Sequence, residues 1–342
     1  MTHRLWNKTV LALSILCVMG VFLVNVVIDP ANIFNHSHSL NRWKYGFDER
    51  LQKTSYLTHR SDIDAIDTIL FGSSRNTYYD QENFEGLTVF NYAVSNGNPE
   101  EYVTFLDYAR SLKGTEFENI IIGLDFVGYG FDDKNAKSNA LLMDDIKGSF
   151  FWLKYVSFHM LVNSMKTVVS STHTKLGTRV YDNNNNTYIS RVEPDTTIAT
   201  AKRRSGSYYS NMVFDDGYFD ALRDIRAANP NTNFIVFTNP VSTPFLDAIY
   251  TDTALKERYF QWTREIVDVF GDVYFFTYPN EFSQNYMTTS KDGDHYYKET
   301  LKTISRIIQD KTNIAPYGLR LISERMDIQM DDLRTRVQNI VR

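Results

Sequence analysis

The stretch Asp67-Thr-Ile-Leu-Phe-Gly72-Ser73-Ser74-Arg75 predicts a short buried strand that ends in a tight turn and presents a serine. A brief apolar run bounded by glycine is typical of a core strand in an α/β sheet, and Gly72 allows the sharp turn. In open α/β sheets, functional groups collect at the carboxyl ends of strands, which is where this prediction puts Ser73 and Ser74. The alternative is a serine that only caps the following helix.

A second informative stretch, Asp292-Gly-Asp294-His295-Tyr296, lies near the other end of the chain. A serine is a weak nucleophile until a base takes its proton, and that base must be oriented by a third group. The spacing of Asp292 and His295 lets one loop supply both the base and the orienting carboxylate. A metal site formed by Asp292, Asp294 and His295 is an alternative, but it lacks the further ligands that a catalytic metal normally needs. We therefore predict serine chemistry with no metal and no cofactor.

Apolar runs and helical segments alternate through the middle of the chain. After the first strand at 68–71, further strands are predicted at 88–92, 119–126, 233–239 and 272–276. This alternation favours a three-layer α/β fold with a parallel sheet.

Residues 128–215 interrupt the alternation and are predicted to form an insertion. The insertion carries an apolar and aromatic stretch at 150–169 and a basic run at Lys202–Arg204. The basic run is interpreted either as a contact for an anionic polymer or lipid head groups, or as an ordinary solvated face.

The N-terminal region predicts a membrane anchor. The span Thr9–Ile28 contains no charged residue and is long enough to cross a bilayer as a helix. No small-residue cleavage site follows it, so we predict an uncleaved signal anchor. Arg4 and Lys8 precede the span and Asp29 follows it, which puts the N-terminus in the cytoplasm. The predicted location is single-pass in the cytoplasmic (inner) membrane, with the folded part extracytoplasmic or periplasmic.

Composition excludes some classes of protein. The net charge of −5 argues against a general nucleic-acid binder, so no nucleic acid is predicted as a partner. The single cysteine, Cys17, lies inside the apolar span, and a disulfide framework is therefore excluded. Aromatic residues make up 14% of the chain, which suits either an aromatic core or a surface that binds sugars.

The conjunction of a strand followed by Gly72-Ser73-Ser74 with Asp292-x-x-His295 resembles the SGNH (GDSL-like) hydrolase superfamily. The resemblance covers about residues 60–311 in outline. It implies a three-layer, flavodoxin-like fold in which Ser74 is the nucleophile, His295 the general base and Asp292 the group that orients the base.

The same resemblance implies where the oxyanion hole and the substrate contacts lie. Its donors would be the amide of Ser74 and the loop after the second strand, which offers Asn96, Gly97 and Asn98. At the end of the third strand Asp125 stands where the family pattern has an asparagine, and an ionised aspartate cannot donate a hydrogen bond. Arg75 and Asp125 are assigned to substrate binding.

The segment Val27–Phe34 resembles the region after the anchor in membrane-tethered SGNH-like proteins of bacterial envelopes. These include proteins that help to O-acetylate alginate and other surface polysaccharides, and the D-alanyl transfer protein of teichoic acid modification. The resemblance implies a serine esterase or acyltransferase acting on O-acyl groups, above all acetyl, of a cell-surface polysaccharide or other glycan. It also implies a multi-spanning membrane O-acyltransferase as partner. The alternative is a catalytically inactive SGNH-like module that binds glycan or scaffolds an envelope complex.

The predicted domain organisation follows from these features. Its parts are a cytoplasmic N-terminus (1–8), a transmembrane signal anchor (9–28), a juxtamembrane connection (29–60), an SGNH-like domain (61–313) with the insertion at 128–215, and an amphipathic C-terminal helix (314–342). That helix is expected to bind a partner, to lie on the membrane or to pack back on its own domain.

Overall fold

The computed structural model of the protein describes residues 3–130, 136–148, 151–173, 179–210, 212–214, 217–311 and 314–338. The α-helices are α1 His3–Ile28, α2 Glu49–His59, α3 Pro99–Lys113, α4 Ala136–Lys147, α5 Phe158–Thr172, α6 Pro194–Tyr208, α7 Gly217–Ala228, α8 Thr243–Thr251, α9 Thr253–Phe270, α10 Glu281–Gln284, α11 Tyr286–Thr289, α12 Lys298–Asp310 and α13 Met326–Gln338. The strands are β1 Trp43–Tyr45, β2 Thr68–Gly72, β3 Val89–Asn91, β4 Asn119–Leu124, β5 Val180–Asp182, β6 Thr187–Tyr188, β7 Asn233–Thr238, β8 Asp272–Phe275 and β9 Leu319–Ile322.

The chain divides into two compact units. The first consists of Met1–Ser61 and Ala140–Tyr188, and the second of Asp62–Asn139 and Ile189–Arg342. The predicted connection at 29–60 is therefore part of a folded unit, which it builds together with the middle of the predicted insertion.

The second unit contains a six-stranded sheet in the order β3-β2-β4-β7-β8-β9. The first five strands in this order are parallel to their neighbours, and β9 runs antiparallel to β8 along the edge. The prediction of an α/β fold is confirmed, and the predicted parallel sheet is found for five strands, with the antiparallel strand β9 added at its edge. The strands read as continuous apolar runs because parallel strands are buried on both faces.

Helices cover both faces of this sheet. On one face Leu70 of β2 packs in a buried cluster with Ile304 and Ile308 of α12. On the other face Phe71 stacks on Tyr102 of α3, with ring centroids 5.4 Å apart. Successive side chains of a strand point to opposite faces, so the neighbouring residues Leu70 and Phe71 reach different helical layers.

The strand order changes direction between β2 and β4. The chain passes from β2 to β3 on one side and then crosses back to β4 on the other side. Open α/β sheets bind ligands outside the carboxyl ends of the strands at such a switch point. Ser73 follows β2 and Asp125 follows β4, so the switch point is where the predicted site residues lie.

The C-terminal region differs from the predicted amphipathic helix. Leu319–Ile322 forms strand β9, and α13 begins only at Met326. The alternation of leucine with arginine at 319–321 suits an edge strand, which the helical spacing of the later residues obscured. Leu333 and Val337 of α13 are buried, so the helix packs back on its own chain. Residues 339–342 of the predicted helix lie outside the described residues.

The first unit combines α1 with a small three-stranded antiparallel sheet in the order β1-β5-β6. Helix α1 is long and apolar enough to span a membrane or to act as a signal anchor. Its residues from 10 to 20 are exposed, whereas Asn25 and Ile28 near its end are buried. The apolar stretch predicted at 150–169 contributes part of the core of this unit, with Phe151, Tyr155 and Met160; residue 150 lies outside the described residues.

Candidate active site

Ser74, His295 and Asp292 form one chain of contacts at the switch point of the sheet. The Ser74 Oγ lies 2.9 Å from Nε2 of His295, although the two residues are 221 positions apart. Nδ1 of His295 lies 3.0 Å from Oδ2 and 3.1 Å from Oδ1 of Asp292. When the ring proton is on Nδ1, facing the carboxylate, Nε2 accepts the serine hydroxyl. The structure therefore brings together the three residues that the sequence proposed as nucleophile, base and orienting group.

The loop 290–296 brings the side chains of His295 and Asp292 together. A β-bridge joins the two ends of the loop, and Oδ1 of Asp292 accepts the backbone N–H of His295 at 3.0 Å. Gly293 has φ +92° and a Cβ on it would lie 2.6 Å from Oγ of Ser242. Only glycine suits that backbone and that close approach. The tight loop thus explains why both side chains come from within four consecutive residues.

A second carboxylate reaches the same imidazole. Oδ1 of Asp294 lies 3.2 Å from Nδ1 of His295, and the side chain of Asp294 is fully buried. Two guanidinium groups pair with it: Arg75 Nη2 lies 2.9 Å from Oδ2, and Arg204 contacts both oxygens at 2.6 and 2.9 Å. A buried carboxylate is tolerated only when it is paired in this way. The sequence had suggested Asp294 only as a metal ligand, so its role beside the base was missed.

Arg204 connects the two aspartates. Its Nη1 lies 2.5 Å from Oδ2 of Asp292 and 2.6 Å from Oδ1 of Asp294. Arg204 belongs to α6 and to the basic run that was interpreted as a polymer contact or a solvated face. Neither interpretation describes Arg204, because its guanidinium group pairs with Asp292 and Asp294. Its neighbour Tyr208 accepts a hydrogen bond from Arg75 Nη2 at 3.1 Å. The predicted insertion therefore supplies part of the candidate site.

These charges set the protonation of the imidazole. Burial on its own lowers the pKa of His295, but Asp294 and Asp292 raise it, and the net result is a pKa above the usual 6.5. Burial on its own raises the pKa of Asp294, but His295, Arg75 and Arg204 hold it well below its usual range. Asp294 is therefore ionised, and an imidazolium formed by proton transfer from serine is stabilised by nearby negative charge.

We expect the acid limb of the pH–rate profile for ester hydrolysis to lie above pH 6.5, because only the neutral imidazole accepts the serine proton and the pKa of His295 is raised. Activity is then lost as the pH falls through that pKa and retained above it. Arg204→Met removes a positive charge beside Asp292 and Asp294, so the acid limb should move to still higher pH. The control is Arg203→Met, an exposed neighbour on the same helix. A shift to lower pH in Arg204→Met would contradict the prediction.

Arg75 and Asp125, which the sequence assigned to substrate binding, are instead buried against each other. Arg75 exposes 4% and Asp125 exposes 6% of its surface, and Arg75 Nη1 lies 3.2 Å from Asp125 Oδ2. Arg75 also pairs with Asp294. Substrate binding by these two residues stays a prediction, although each already has an ion-pair partner within the protein. Here the two charges neutralise each other within the protein.

Asp125 accepts two hydrogen bonds and pairs with one guanidinium group. Ser73 Oγ donates to its Oδ2, Arg75 also contacts Oδ2, and Asn239 Nδ2 donates to Oδ1 at 3.0 Å. Asn239 Nδ2 also donates to Oδ1 of Asn76 at 2.8 Å. Asn239 directly follows β7, and this position at a strand end was the signal that could have identified it. The group fixes the ends of neighbouring strands rather than presenting donors to a substrate.

Asn76 lies so close to the strand backbone that it depends on a glycine. A Cβ on Gly123 of β4 would lie 1.7 Å from Nδ2 of Asn76. We expect Gly123→Ala to lower the free energy of unfolding by about 1–3 kcal/mol through overpacking. Gly206→Ala on α6 is the control, since a Cβ there meets nothing within 4 Å, and it should stabilise by up to about 1 kcal/mol. Urea denaturation measures both, and an unchanged unfolding midpoint for Gly123→Ala would disprove the packing argument.

The loop after β3 carries the three residues that were expected to supply oxyanion donors, Asn96, Gly97 and Asn98. The N–H of Gly97 donates to the Val94 carbonyl at 3.0 Å. The side-chain oxygen of Asn98 accepts the N–H of Glu101 at 3.2 Å as the N-cap of α3. The turn already uses the N–H of Gly97, whereas the helix cap uses only the side-chain oxygen of Asn98, and the Nδ2 donor of Asn98 takes no part in that contact. Asn96 is exposed at φ +52°.

Asp292, Asp294 and His295 also satisfy the simplest test for a metal site. Their ligand atoms all lie within 4.8 Å of one another. However, Arg204 already contacts oxygens of both carboxylates, and Arg75 contacts Asp294. A cation would have to displace these guanidinium groups or be repelled by them. The arrangement suits an ion-pair cluster around an imidazole rather than a metal centre.

Comparison with known proteins assigns the chain to no family. No protein-family model matches the chain, and no curated protein matches it either.

Proposed function

We propose that this protein is a membrane-anchored serine esterase or acyltransferase of the SGNH type, which acts outside the cytoplasmic membrane on O-acyl groups of a cell-surface polysaccharide. The observation that carries the proposal is the contact between Ser74 Oγ and His295 Nε2 at 2.9 Å. The second ring nitrogen faces Asp292 at 3.0 Å. A hydroxyl, an imidazole and a carboxylate in this sequence of contacts are what nucleophilic acyl transfer requires.

The chemistry follows from these contacts. Ser74 Oγ attacks the acyl carbonyl while Nε2 of His295 takes the hydroxyl proton, and the resulting imidazolium lies against Asp292 and Asp294. His295 then returns the proton to the leaving sugar hydroxyl, which leaves the acyl group on Ser74. Water as the second acceptor gives hydrolysis, and a sugar hydroxyl gives transfer. The backbone N–H of Ser74 is the donor that we assign to the carbonyl oxygen as it becomes negative.

The sheet supports the SGNH assignment. In sequence order its parallel strands are β2, β3, β4, β7 and β8, and their spatial order is β3-β2-β4-β7-β8. This is the 2-1-3-4-5 order of flavodoxin-like sheets. The nucleophile follows the first of these strands, and the base lies just before α12, as the superfamily pattern requires.

The membrane placement is part of the proposal. Helix α1 has the length and hydropathy of a membrane span, with Arg4 and Lys8 at its N-terminal side and Asp29 after it. The positive-inside rule then puts everything after Asp29 outside the cytoplasm. The resemblance to envelope proteins suggests acetyl as the acyl group. It also suggests a multi-spanning O-acyltransferase as the partner that supplies acyl groups across the membrane.

A second candidate is a catalytically inactive SGNH-like subunit that binds glycan or scaffolds an envelope complex. The observation that favours it is the state of the predicted oxyanion donors. The N–H of Gly97 is engaged in a turn, and Asp125 accepts hydrogen bonds instead of donating one. Losing one oxyanion donor typically costs about a hundredfold to a thousandfold in turnover.

Covalent labelling separates the two candidates. The full-length protein in detergent is treated with a fluorophosphonate probe, and the modified peptide is identified by mass spectrometry. The enzyme proposal expects a single adduct on Ser74 that disappears in His295→Ala. A folded protein that neither reacts with the probe nor hydrolyses a chromogenic acetyl ester, alone or with its acyltransferase partner, would favour the inactive subunit.

A further inference from the structure

Helix α5 of the first unit buries polar residues and exposes apolar ones, which is the reverse of a surface helix on a water-soluble domain. Its buried positions are mostly polar, and they are Met160, Asn163, Ser164, Thr167, Ser170 and Ser171. Its exposed face carries Phe158, Met165 and Val169, which expose 73%, 62% and 38% of their surfaces. These three residues share one side of the helix, since they are spaced by seven and four positions. A surface helix normally turns its apolar stripe to the core, and α5 turns it away.

Hydrogen bonds hold α5 in this orientation. The N–H of Trp43 donates to Oγ of Ser171 at 2.9 Å, and the N–H of Tyr45 donates to Oγ1 of Thr167 at 3.3 Å. Both donors belong to β1, which pairs with β5 through its other edge. The hydroxyls of α5 therefore satisfy the open edge of the small sheet. Rotating the helix to bury its apolar face would leave those backbone groups unpaired.

The start of α5 is attached to the end of the membrane-spanning helix. Nδ2 of Asn25 donates to the Tyr155 carbonyl at 2.7 Å and to the Ser157 carbonyl at 3.3 Å, and its Oδ1 accepts from Ser164 at 2.8 Å. Asn25 precedes the last residue of α1, Ile28, by three positions, or about 5 Å of helix rise. A polar side chain within a membrane span needs such partners. These contacts put residues 155–164 at the depth of the last turn of the span.

The segment before α5 extends the same apolar surface. The rings of Trp152 and Phe22 of α1 meet edge to face at 5.7 Å. Phe22 lies six residues before Ile28, which is roughly 9 Å further into the span. Trp152 and Leu153 expose 42% and 47% of their surfaces, and a groove of about 670 Å³ opens beside Phe22 and Trp152. The exposed side chains of Trp152 and Leu153 therefore extend the apolar surface of α5 towards Phe22 of α1.

We propose that α5, with Trp152 and Leu153, is a second membrane-contacting element that inserts its apolar face into the lipid of the outer leaflet beside the anchor. Lipid is the occupant because Trp152 contacts Phe22 of α1 and α1 is itself exposed over residues 10 to 20. The Asn25 contacts place the start of α5 beside the last turn of the span. The first unit is then held to the bilayer by two elements instead of hanging from one tether. The inference depends on α1 spanning the membrane, which is part of the proposed function, and not on the serine chemistry.

Spin labelling of the full-length chain in lipid nanodiscs, at one chain per disc, tests the proposal. Cys17 is the only cysteine, so a label on the native chain reports on the anchor itself. In a Cys17→Ser background, Phe158→Cys and Met165→Cys place labels on the exposed face of α5, where neither side chain contributes to a core. The matched control is Asn184→Cys, an exposed position in the turn between β5 and β6, on the sheet that covers the polar side of α5.

Power saturation measures the collision of each label with dissolved oxygen, which concentrates in lipid, and with a water-soluble nickel chelate. We expect oxygen to exceed nickel at 17, 158 and 165, and nickel to exceed oxygen at 184. Labels at 158 and 165 that match the one at 184, while Cys17 reports the bilayer core, would overturn the proposal and leave the anchor intact. Labels shielded from both reagents would overturn it in favour of a protein contact. Nickel access at Cys17 would refute the anchor and this inference together, with the labelling of Ser74 unaffected.

Discussion

Ser74→Ala should lower kcat for ester hydrolysis by about 10⁴-fold or more, because the acyl group then has no oxygen to which it can be transferred. His295→Ala should cost about as much, since Ser74 loses the base 2.9 Å from its hydroxyl. Members of such a unit act together, so the double variant should be no slower than either single variant. A chromogenic acetyl ester and the full-length protein in detergent give all of these rates.

Ser73→Ala is the matched control for this series. The neighbouring serine lies in the same turn, but its hydroxyl donates to Asp125 and does not face the base. Its loss should leave kcat within about tenfold and lower the free energy of unfolding by about 1 kcal/mol, the typical value of one hydrogen bond. If Ser73→Ala lost activity and Ser74→Ala kept it, the nucleophile would be wrongly assigned. Equal and complete loss in both would indicate damage to the turn.

The two aspartates beside His295 should separate into one catalytic and one structural role. Asp292→Asn should lower kcat by about 10⁴-fold, because an amide cannot hold Nδ1 protonated or stabilise the imidazolium. Its effect on the free energy of unfolding should be small, since Arg204 keeps Asp294 as a partner. Asp294→Asn should lower the free energy of unfolding more, by about 1–3 kcal/mol, because its fully buried carboxylate holds both guanidinium groups. Arg75 and Arg204 then keep only Asp125 and Asp292 as counter-charges.

Urea denaturation and ester hydrolysis measured on the same preparations test this division. The control is Asp332→Asn, which removes an exposed carboxylate paired with Arg336 and should change the free energy of unfolding by less than about 1 kcal/mol. The reverse pattern, with stability lost in Asp292→Asn and turnover lost in Asp294→Asn, would make Asp294 the residue that orients the base. The D-x-x-H assignment would then be wrong even though the serine assignment stands.

The parallel sheet was predictable because its signals are local. The run at 120–124 is apolar throughout, as expected of a central strand covered on both faces, and the strand Asn119–Leu124 contains it. The pairing of Asp292 with His295 was predictable for a similar reason, since three residues of spacing within one loop restrict where the two side chains point. The contact between that loop and Ser74 depends on the tertiary fold. It was predicted from the resemblance to a family, because the spacing of residues in the chain does not indicate it.

The roles of Arg204, Asp294 and Asn239 were not predictable from their positions in the chain. Arg204 lies 88 residues from Asp292, and nothing in a three-residue basic run distinguishes a guanidinium that pairs with a buried carboxylate from one in solvent. The ion pair between Arg75 and Asp125 was missed for the same reason. Their neighbours in sequence indicate a strand end, whereas their partners in space decide that they neutralise each other.

The sequence by itself determined where the five parallel strands lie along the chain, the apolar N-terminal helix and the short motifs that carry the candidate chemistry. These depend on periodicity, turn residues and spacing within a few positions, which a single chain displays directly. Only the tertiary structure decided which charges meet, which loop groups are already used as caps, and that α5 turns its apolar face outward. Those outcomes depend on hydrogen bonds and ion pairs between distant segments, and such contacts leave no periodic pattern in the chain.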